Sequence, residues 1–187
     1  MLFGEVIMLT TMMSLYMLAF CRVVIGLVFV VSSVSKVLHM AQFRQAISNF
    51  HILPRRLCGA AAILFICGEF AVVVFVIIGG PLLLFGFALA IFLLLLFCIA
   101  LVSVLVRRIR TSCNCFGAST KQVSHVDVWR NVGLILCALG GYGVFAWTKN
   151  TQGSLNLVEW VLTGLGAVVF VVIWIQSDEI VQLFRQG

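Results

Sequence analysis

Two cysteines, Cys113 and Cys115, lie one residue apart in one of the few polar stretches of the chain. Asn114 between them tolerates turn and left-handed backbone conformations, and Gly117 adds backbone freedom just beyond. Two thiols at this spacing can close a small disulfide ring if the backbone turns. Such a ring is strained and exposed, which is typical of labile, catalytic disulfides rather than structural ones. The basic residues nearby favour the thiolate form; they are Arg107, Arg108, Arg110 and Lys121.

Two other interpretations of the pair stay open, namely a pair of inert surface thiols and half of a metal site. His125 is the nearest histidine, and one Cys-x-Cys with a single histidine does not fill a tetrahedral zinc site. We therefore expect no metal. Cys58 ends the first polar loop and can serve as a further thiol on the same membrane face. The other cysteines lie in apolar runs, where cysteine behaves as a small hydrophobe: Cys21, Cys67, Cys98 and Cys137.

Three ionisable residues lie inside apolar runs. Glu69 is near the middle of one run, where a carboxylate is costly unless it is paired or protonated, so it is a functional candidate. Arg22 and Lys36 lie near the two ends of an earlier run. Both can extend towards the membrane surface, and Arg22 is also a candidate ion-pair partner for Glu69. A structural ion pair and a functional site are both compatible with this pattern.

The composition indicates an integral membrane protein. Of 187 residues, 63% are hydrophobic and 10% are charged, whereas soluble domains are about half apolar and a quarter charged. The net charge of +6 fits contact with anionic lipid headgroups. The basic residues are dispersed and accompany no nucleic-acid-binding motif, so we expect no nucleic-acid partner.

The apolar runs predict an all-α fold with five transmembrane spans in a single domain, residues 1–187. About 20 apolar residues cross a bilayer. We expect a four-helix bundle, a fifth C-terminal span and a multi-pass protein of the cell membrane, with the N-terminus retained. The predicted spans are 16–38, 59–78, 82–106, 131–148 and 157–176. Gly79, Gly80 and Pro81 make a tight turn, so the second and third spans should form a hairpin.

The first polar loop, residues 39–58, contains an amphipathic interfacial helix after the first span. Phe43, Ala46, Ile47 and Phe50 recur at helical spacing, and Pro54 should end the helix. The second loop, residues 107–130, holds the cysteine pair. Both loops are basic and, with five spans, lie on the same side. The positive-inside rule places that side in the cytoplasm, whereas stable disulfides belong to the oxidising external side.

The stretch "VDVWRN", residues 126–131, precedes and opens the fourth predicted span. An acid near a helix start and an interfacial tryptophan are ordinary anchors, which accounts for Asp127 and Trp129. Arg130 opposes the helix dipole, so it is expected to face the cysteine loop or an anionic group, beside Asn131. His125 is a candidate proton carrier for a thiol.

Several motifs, in this order, resemble the MauE-type membrane proteins, named for methylamine utilisation and allied to the DoxX-like group. They are "CRVVIGLVFVVSSVSKVL", "FRQAISNFHILP", "ICGEFAVVV", "CNCFG" and "WRNVGL". The resemblance spans roughly residues 20–140 and leaves the last span outside. The motif positions carried over are Arg22, Lys36, Phe43, Pro54, Glu69, Cys113, Cys115, Phe116, Gly117, Arg130 and Asn131.

The resemblance implies a compact helical bundle linked with a thioredoxin-like partner. MauE-like proteins are implicated in forming or maintaining disulfides in exported proteins, including the quinone-cofactor subunit of methylamine dehydrogenase. The leading hypothesis is therefore a membrane thiol–disulfide oxidoreductase that uses Cys113 and Cys115. No cofactor is assigned, although a quinone near Glu69 and Arg22 is one candidate for a second electron carrier.

Two other functions stay open. One is a non-catalytic membrane scaffold of a maturation complex, in which the cysteine loop is only a docking surface. The other is a small transporter that uses Glu69 as a proton or ion site. The five-span count and the lack of an inverted repeat argue mildly against a transporter.

Overall fold

The described residues of the computed structural model form six α-helices and no strand; they are residues 2–49, 54, 56–107, 125–148 and 156–186. The helices are α1 (Leu2–Leu38), α2 (Met40–Asn49), α3 (Cys58–Ile78), α4 (Leu82–Val106), α5 (His125–Thr148) and α6 (Leu157–Gln186). The predicted all-α class is therefore confirmed.

Five of the helices are long and apolar enough to cross a membrane. Their qualifying segments are Thr10–Leu38, Cys58–Ile78, Leu82–Val106, His125–Thr148 and Leu157–Gln176. Two of these segments begin six residues before the predicted spans: the first begins at Thr10 rather than at residue 16, and the fourth differs likewise. The helix α5 begins at His125 rather than at residue 131, so Arg130 and Asn131 lie inside it. Polar residues can occupy its first turns because Asp127 there complements the helix dipole.

The turn between α3 and α4 depends on two glycines. Gly79 has a φ of 73° and Gly80 a φ of 57°, and residues with a Cβ rarely adopt such values. The N–H of Gly79 donates to the carbonyl of Phe75, and that of Leu83 donates to the carbonyl of Gly80. The predicted hairpin is confirmed, because this turn reverses the chain within three residues.

The helices α1, α3, α4 and α5 form the bundle, and α6 packs mainly on α1. Apolar side chains fill the space between them, including Val24, Ile25, Val72, Phe87 and Ala138. Large apolar side chains also cover the outside, among them Leu64, Ile77, Phe85 and Leu162. An apolar exterior of this kind suits lipid, so the bundle is a multi-pass membrane protein with a fifth, peripheral span.

The helix α2 has the amphipathic character that its sequence predicts. Phe43 and Ala46 are buried, and Phe43 packs with Ala62 and Ile66 of α3. Arg44 is exposed. Phe50 lies outside the described residues, and Pro54 lies beyond the end of α2 in non-helical backbone. The helix α2 therefore covers one end of the bundle and brings an aromatic ring to it.

Candidate functional site

A buried ion pair joins α1 to α3. The ammonium group of Lys36 contacts carboxylate oxygen Oε1 of Glu69, and the two residues are 2% and 3% exposed. Ser32 lies one turn before Lys36 and bridges the pair. Its hydroxyl donates to Glu69 Oε1 at 3.0 Å and accepts from Lys36 Nζ at 2.8 Å. The opposite charges compensate each other where neither could be hydrated.

Three aromatic rings surround the Lys36 ammonium. Its nitrogen lies 5.4 Å from the ring centre of Phe43, 4.8 Å from that of Phe65 and 5.7 Å from that of Phe97. The rings come from α2, α3 and α4. Cation–π attraction is stronger away from water, so the rings stabilise the charge as well as excluding solvent. Lys36 is thus held by four helices at once and does not extend to the membrane surface.

The ion pair lies against a small cavity of about 30 Å³ between α1, α3, α4 and α5. Its walls are largely apolar; its polar lining residues are Ser32, Lys36, Glu69 and Asn131. The second carboxylate oxygen of Glu69, Oε2, accepts no hydrogen bond from any described residue. A cavity of this volume holds one or two water molecules. The site thus combines a fixed charge pair with room for a small polar partner.

Of the two polar residues predicted at the start of the fourth span, Asn131 lines this cavity and Arg130 does not. The amide of Asn131 donates to the carbonyl of Leu94 in α4 at 2.7 Å. Arg130 is buried, and its guanidinium lies 3.8 Å from the carboxylate of Asp127, one turn earlier. Asn131 therefore belongs to the Lys36–Glu69 site, whereas Arg130 pairs with an acid of its own helix.

Arg22 forms a separate arrangement. Its guanidinium donates from Nε to the carbonyl of Val76 at 2.8 Å and from Nη2 to that of Ile77 at 2.9 Å. It also lies 5.5 Å from the ring centre of Trp160. The partner of Glu69 is thus Lys36 rather than Arg22. Glu69 is seven residues before Val76, about 10 Å along α3, so Arg22 and Glu69 do not form one site.

The predicted redox residues Cys113, Cys115, Phe116 and Gly117 lie outside the described residues. His125, which begins α5 directly after that segment, is exposed. Cys58 is buried at the start of α3, where its thiol donates to the carbonyl of Pro54 at 3.6 Å. The expectation of no metal stays a prediction. Among the described residues, no cluster of three or more histidine, cysteine or acidic side chains is suited to a metal ion.

Sequence reasoning did not single out Ser32, Phe65 or Phe97 as members of the site. Two of the three carry a local signal, because side chains four residues apart share a helix face. Ser32 is four residues before Lys36, and Phe65 is four residues before Glu69. Phe97 carries no such signal in "LLLLFCIA", since its contribution depends on how α4 packs.

Comparison with known proteins places these residues in one family. A family model described as "Methylamine utilisation protein MauE" matches residues 14–145. A curated relative from Paracoccus denitrificans, "Methylamine utilization protein MauE", is 35% identical over 142 residues, covering 73% of this chain and 76% of the relative. No solved structure matches.

The family match contains every residue of the site around Lys36 and Glu69, and it ends before α6 begins. It confirms the resemblance to MauE-type proteins, while the kinship with the DoxX-like group stays a prediction. Its span of residues 14–145 also agrees with the predicted limits of the resemblance. The chain is therefore a multi-pass membrane protein that belongs to the MauE family.

Proposed function

We propose that this protein is a membrane thiol–disulfide oxidoreductase. Cys113 and Cys115 exchange electrons with a thioredoxin-like partner and thereby support disulfide formation or maturation of exported proteins. Its relative is named for methylamine utilisation, so the maturation of a methylamine-utilisation enzyme is the context that we infer. The protein would act there as a membrane accessory component.

The exchange proceeds through a mixed disulfide. When the pair oxidises its partner, a partner thiolate attacks one sulfur of the Cys113–Cys115 disulfide and releases the other as a thiolate. The partner's second thiolate then attacks the mixed disulfide. The partner leaves as a disulfide after losing two electrons, and Cys113 and Cys115 remain as two thiolates that take up protons. The reverse sequence of the same steps reduces the partner.

One structural observation carries the proposal: the cysteine segment joins the two helices that pack on the buried ion pair. The helix α4 ends at Val106 and α5 begins at His125. Phe97 of α4 encloses the Lys36 ammonium, and Asn131 of α5 binds α4 within the same cavity. The ion pair, its aromatic rings and this amide bond connect α4 and α5 with the rest of the bundle. A fixed base of this kind favours reproducible presentation of a reactive pair.

The decisive test compares Cys113→Ser, Cys115→Ser and the double variant in cells that contain the thioredoxin-like partner. The partner's redox state is read by thiol alkylation followed by a gel shift. With the double variant, we expect the partner to have the same redox state as in cells that lack the protein altogether. One single variant should accumulate a mixed disulfide with the partner, because the resolving thiol is missing. Cys67→Ser is the matched control, since that thiol is exposed on the outer face of α3.

The same variants separate this proposal from the two alternatives. If the protein is a scaffold, the partner should co-purify normally with the double variant. The partner's redox state should also be the same with the double variant as with the native protein. A transporter requires Glu69→Gln to abolish function while both cysteines are dispensable. Either result overturns the oxidoreductase proposal. A membrane-impermeant maleimide applied to the native protein reports which side the segment faces.

A further inference from the structure

Two cysteines that the proposed function does not use meet inside the bundle. The thiols of Cys21 of α1 and Cys137 of α5 lie close enough to influence each other electrostatically. Cys21 is buried in the main hydrophobic core, and Cys137 packs against the same core. Both are thiols in the structure. A single buried cysteine is usually only a small hydrophobe, but two neighbouring thiols on facing helices can react with each other.

The close approach of α1 and α5 at this level has a visible cause. Gly141 lies one turn beyond Cys137 and has no side chain. A Cβ placed on Gly141 would lie 3.0 Å from the Cβ of Cys21 and 2.6 Å from Cζ of Phe87. Ala138, beside Cys137, is completely buried. Small residues allow helix backbones to approach closely within a membrane, and a disulfide requires such an approach, with its two Cβ atoms about 3.5–4.5 Å apart.

The thiol pair is distinct from the cysteine segment. Cys137 is twelve residues into α5 from His125, which corresponds to about 18 Å along the helix. Cys21 is fifteen residues before Lys36, or about 22 Å along α1. The pair therefore lies well below the end of the bundle from which the segment emerges. Thiol–disulfide exchange requires direct attack of one sulfur on another, so the pair needs its own oxidant.

We propose that Cys21 and Cys137 form a second redox site, which closes to a disulfide that joins α1 to α5 within the membrane. The oxidant is a lipid-soluble two-electron acceptor of the quinone class, because the thiols lie in an apolar environment. Two S–H bonds break and one S–S bond forms. The two electrons and two protons pass to the quinone, which becomes a hydroquinone. The inference does not depend on the proposed function of Cys113 and Cys115.

Closure of this disulfide has a consequence for the Lys36–Glu69 site. The helix α1 carries Ser32 and Lys36 to the cavity, and α5 carries Asn131 and Leu134 to it. A covalent bond between the two helices restrains their separation, and therefore the width of the cavity. The dithiol form leaves only side-chain packing and the thiol contact to hold α1 and α5 together at this level.

The test uses the full-length chain in membranes with Cys113→Ser and Cys115→Ser, which leaves five of the seven cysteines. Decylubiquinone is added, the protein is denatured, and free thiols are alkylated with N-ethylmaleimide and counted by mass. We expect the adducts to fall from five to three, with a cross-linked peptide that contains Cys21 and Cys137. Dithiothreitol should restore five adducts. Retention of five adducts after quinone treatment overturns the proposal.

A matched control moves one thiol by a single residue. Cys137→Ser combined with Leu136→Cys keeps five thiols but places one on a lipid-facing position, since Leu136 is 64% exposed. We expect five adducts before and after quinone treatment in this variant. Equal loss of adducts in the control, or cross-linked peptides between other cysteines, would show that contact between Cys21 and Cys137 is not the cause. Because Cys113 and Cys115 are absent throughout, the result is independent of the proposed exchange.

Discussion

Lys36 and Arg22 are two cations on the same helix that are stabilised in different ways. Lys36 is paired with a carboxylate, a hydroxyl and three aromatic rings, all contributed by side chains. Arg22 instead donates to two backbone carbonyls at the end of α3 and lies near Trp160. A helix end exposes carbonyls that have no partner within the helix, so a cation placed there needs no acid. A cation deeper in the bundle has no such carbonyls beside it and needs a carboxylate.

This difference separates a structural feature from a candidate site. The hydrogen bonds of Arg22 give partners both to the last carbonyls of α3 and to the guanidinium. At the Lys36–Glu69 pair, Oε2 of Glu69 accepts no hydrogen bond from the described residues, and Glu69 lines a cavity. The end of the bundle near α2 is therefore the one able to accept a small polar partner. Four sets of substitutions test this contrast.

The largest effect should come from Glu69→Gln. It leaves the Lys36 ammonium buried without a counter-charge, and breaking a buried ion pair in this way costs about 3–5 kcal/mol. The free energy of unfolding, measured by denaturant titration in detergent with tryptophan fluorescence, should fall by that amount. Lys36→Met should cost a similar amount.

The double variant Lys36→Met with Glu69→Met is the control for the ion pair. Removing both charges leaves no uncompensated group, so its loss should be much smaller than the sum of the single losses. If the loss in the double variant equalled the sum of the two single losses of unfolding free energy, the residues would act independently, which would contradict the pairing.

Arg22→Ala should have the next largest effect. It removes two hydrogen bonds from a charged donor to the end of α3, and bonds to charged groups contribute about 1.5–3 kcal/mol. Arg22→Lys keeps the charge but not the planar guanidinium, which can donate to two carbonyls at once. We expect an intermediate loss of unfolding free energy. If Arg22→Lys were as stable as the native protein, charge alone would explain the position.

Gly79→Ala and Gly80→Ala form a matched pair in one turn. Both introduce a Cβ at positive φ, which costs about 1–3 kcal/mol. At Gly79 the new Cβ would also lie 2.7 Å from Nη2 of Arg22, whereas at Gly80 nothing lies within 4 Å. We expect the thermal midpoint of unfolding to fall further for Gly79→Ala. Arg22→Ala should remove part of that excess, and an excess that persists would contradict the contact as its cause.

The smallest effect should come from Asn131→Leu. It removes the bond from the Asn131 amide to the Leu94 carbonyl, and such bonds between membrane helices contribute about 0.6–1.7 kcal/mol. Ser103→Ala is the control, because the Ser103 hydroxyl donates to the Ile99 carbonyl of its own helix. We expect Ser103→Ala to cause no measurable loss of unfolding free energy. Equal losses would show that the bond between helices has no special role.

Much of the fold could be predicted from the sequence. The spans, the hairpin at Gly79–Pro81, the amphipathic α2 and the peripheral last span all follow from hydropathy and turn residues. The start of α5 was predicted six residues late, because its first turns are polar and resemble a loop. Glu69, Lys36 and Asn131 were selected from the sequence as candidate site residues, which stays a prediction. The sequence left a pairing of Glu69 with Arg22 open, and the structure pairs Glu69 with Lys36 instead.

The sequence by itself determined the membrane character, the number of crossings and the presence of the Cys-x-Cys pair, because these depend on composition and on neighbours along the chain. Only the tertiary structure decided that Lys36 pairs with Glu69, that three rings surround it, and that Cys21 meets Cys137. Apart from the contact with Phe43, those contacts join residues at least 29 positions apart. They depend on which face each helix turns towards its neighbour. In a chain that is apolar on nearly every face, the spacing of apolar residues does not specify that rotation.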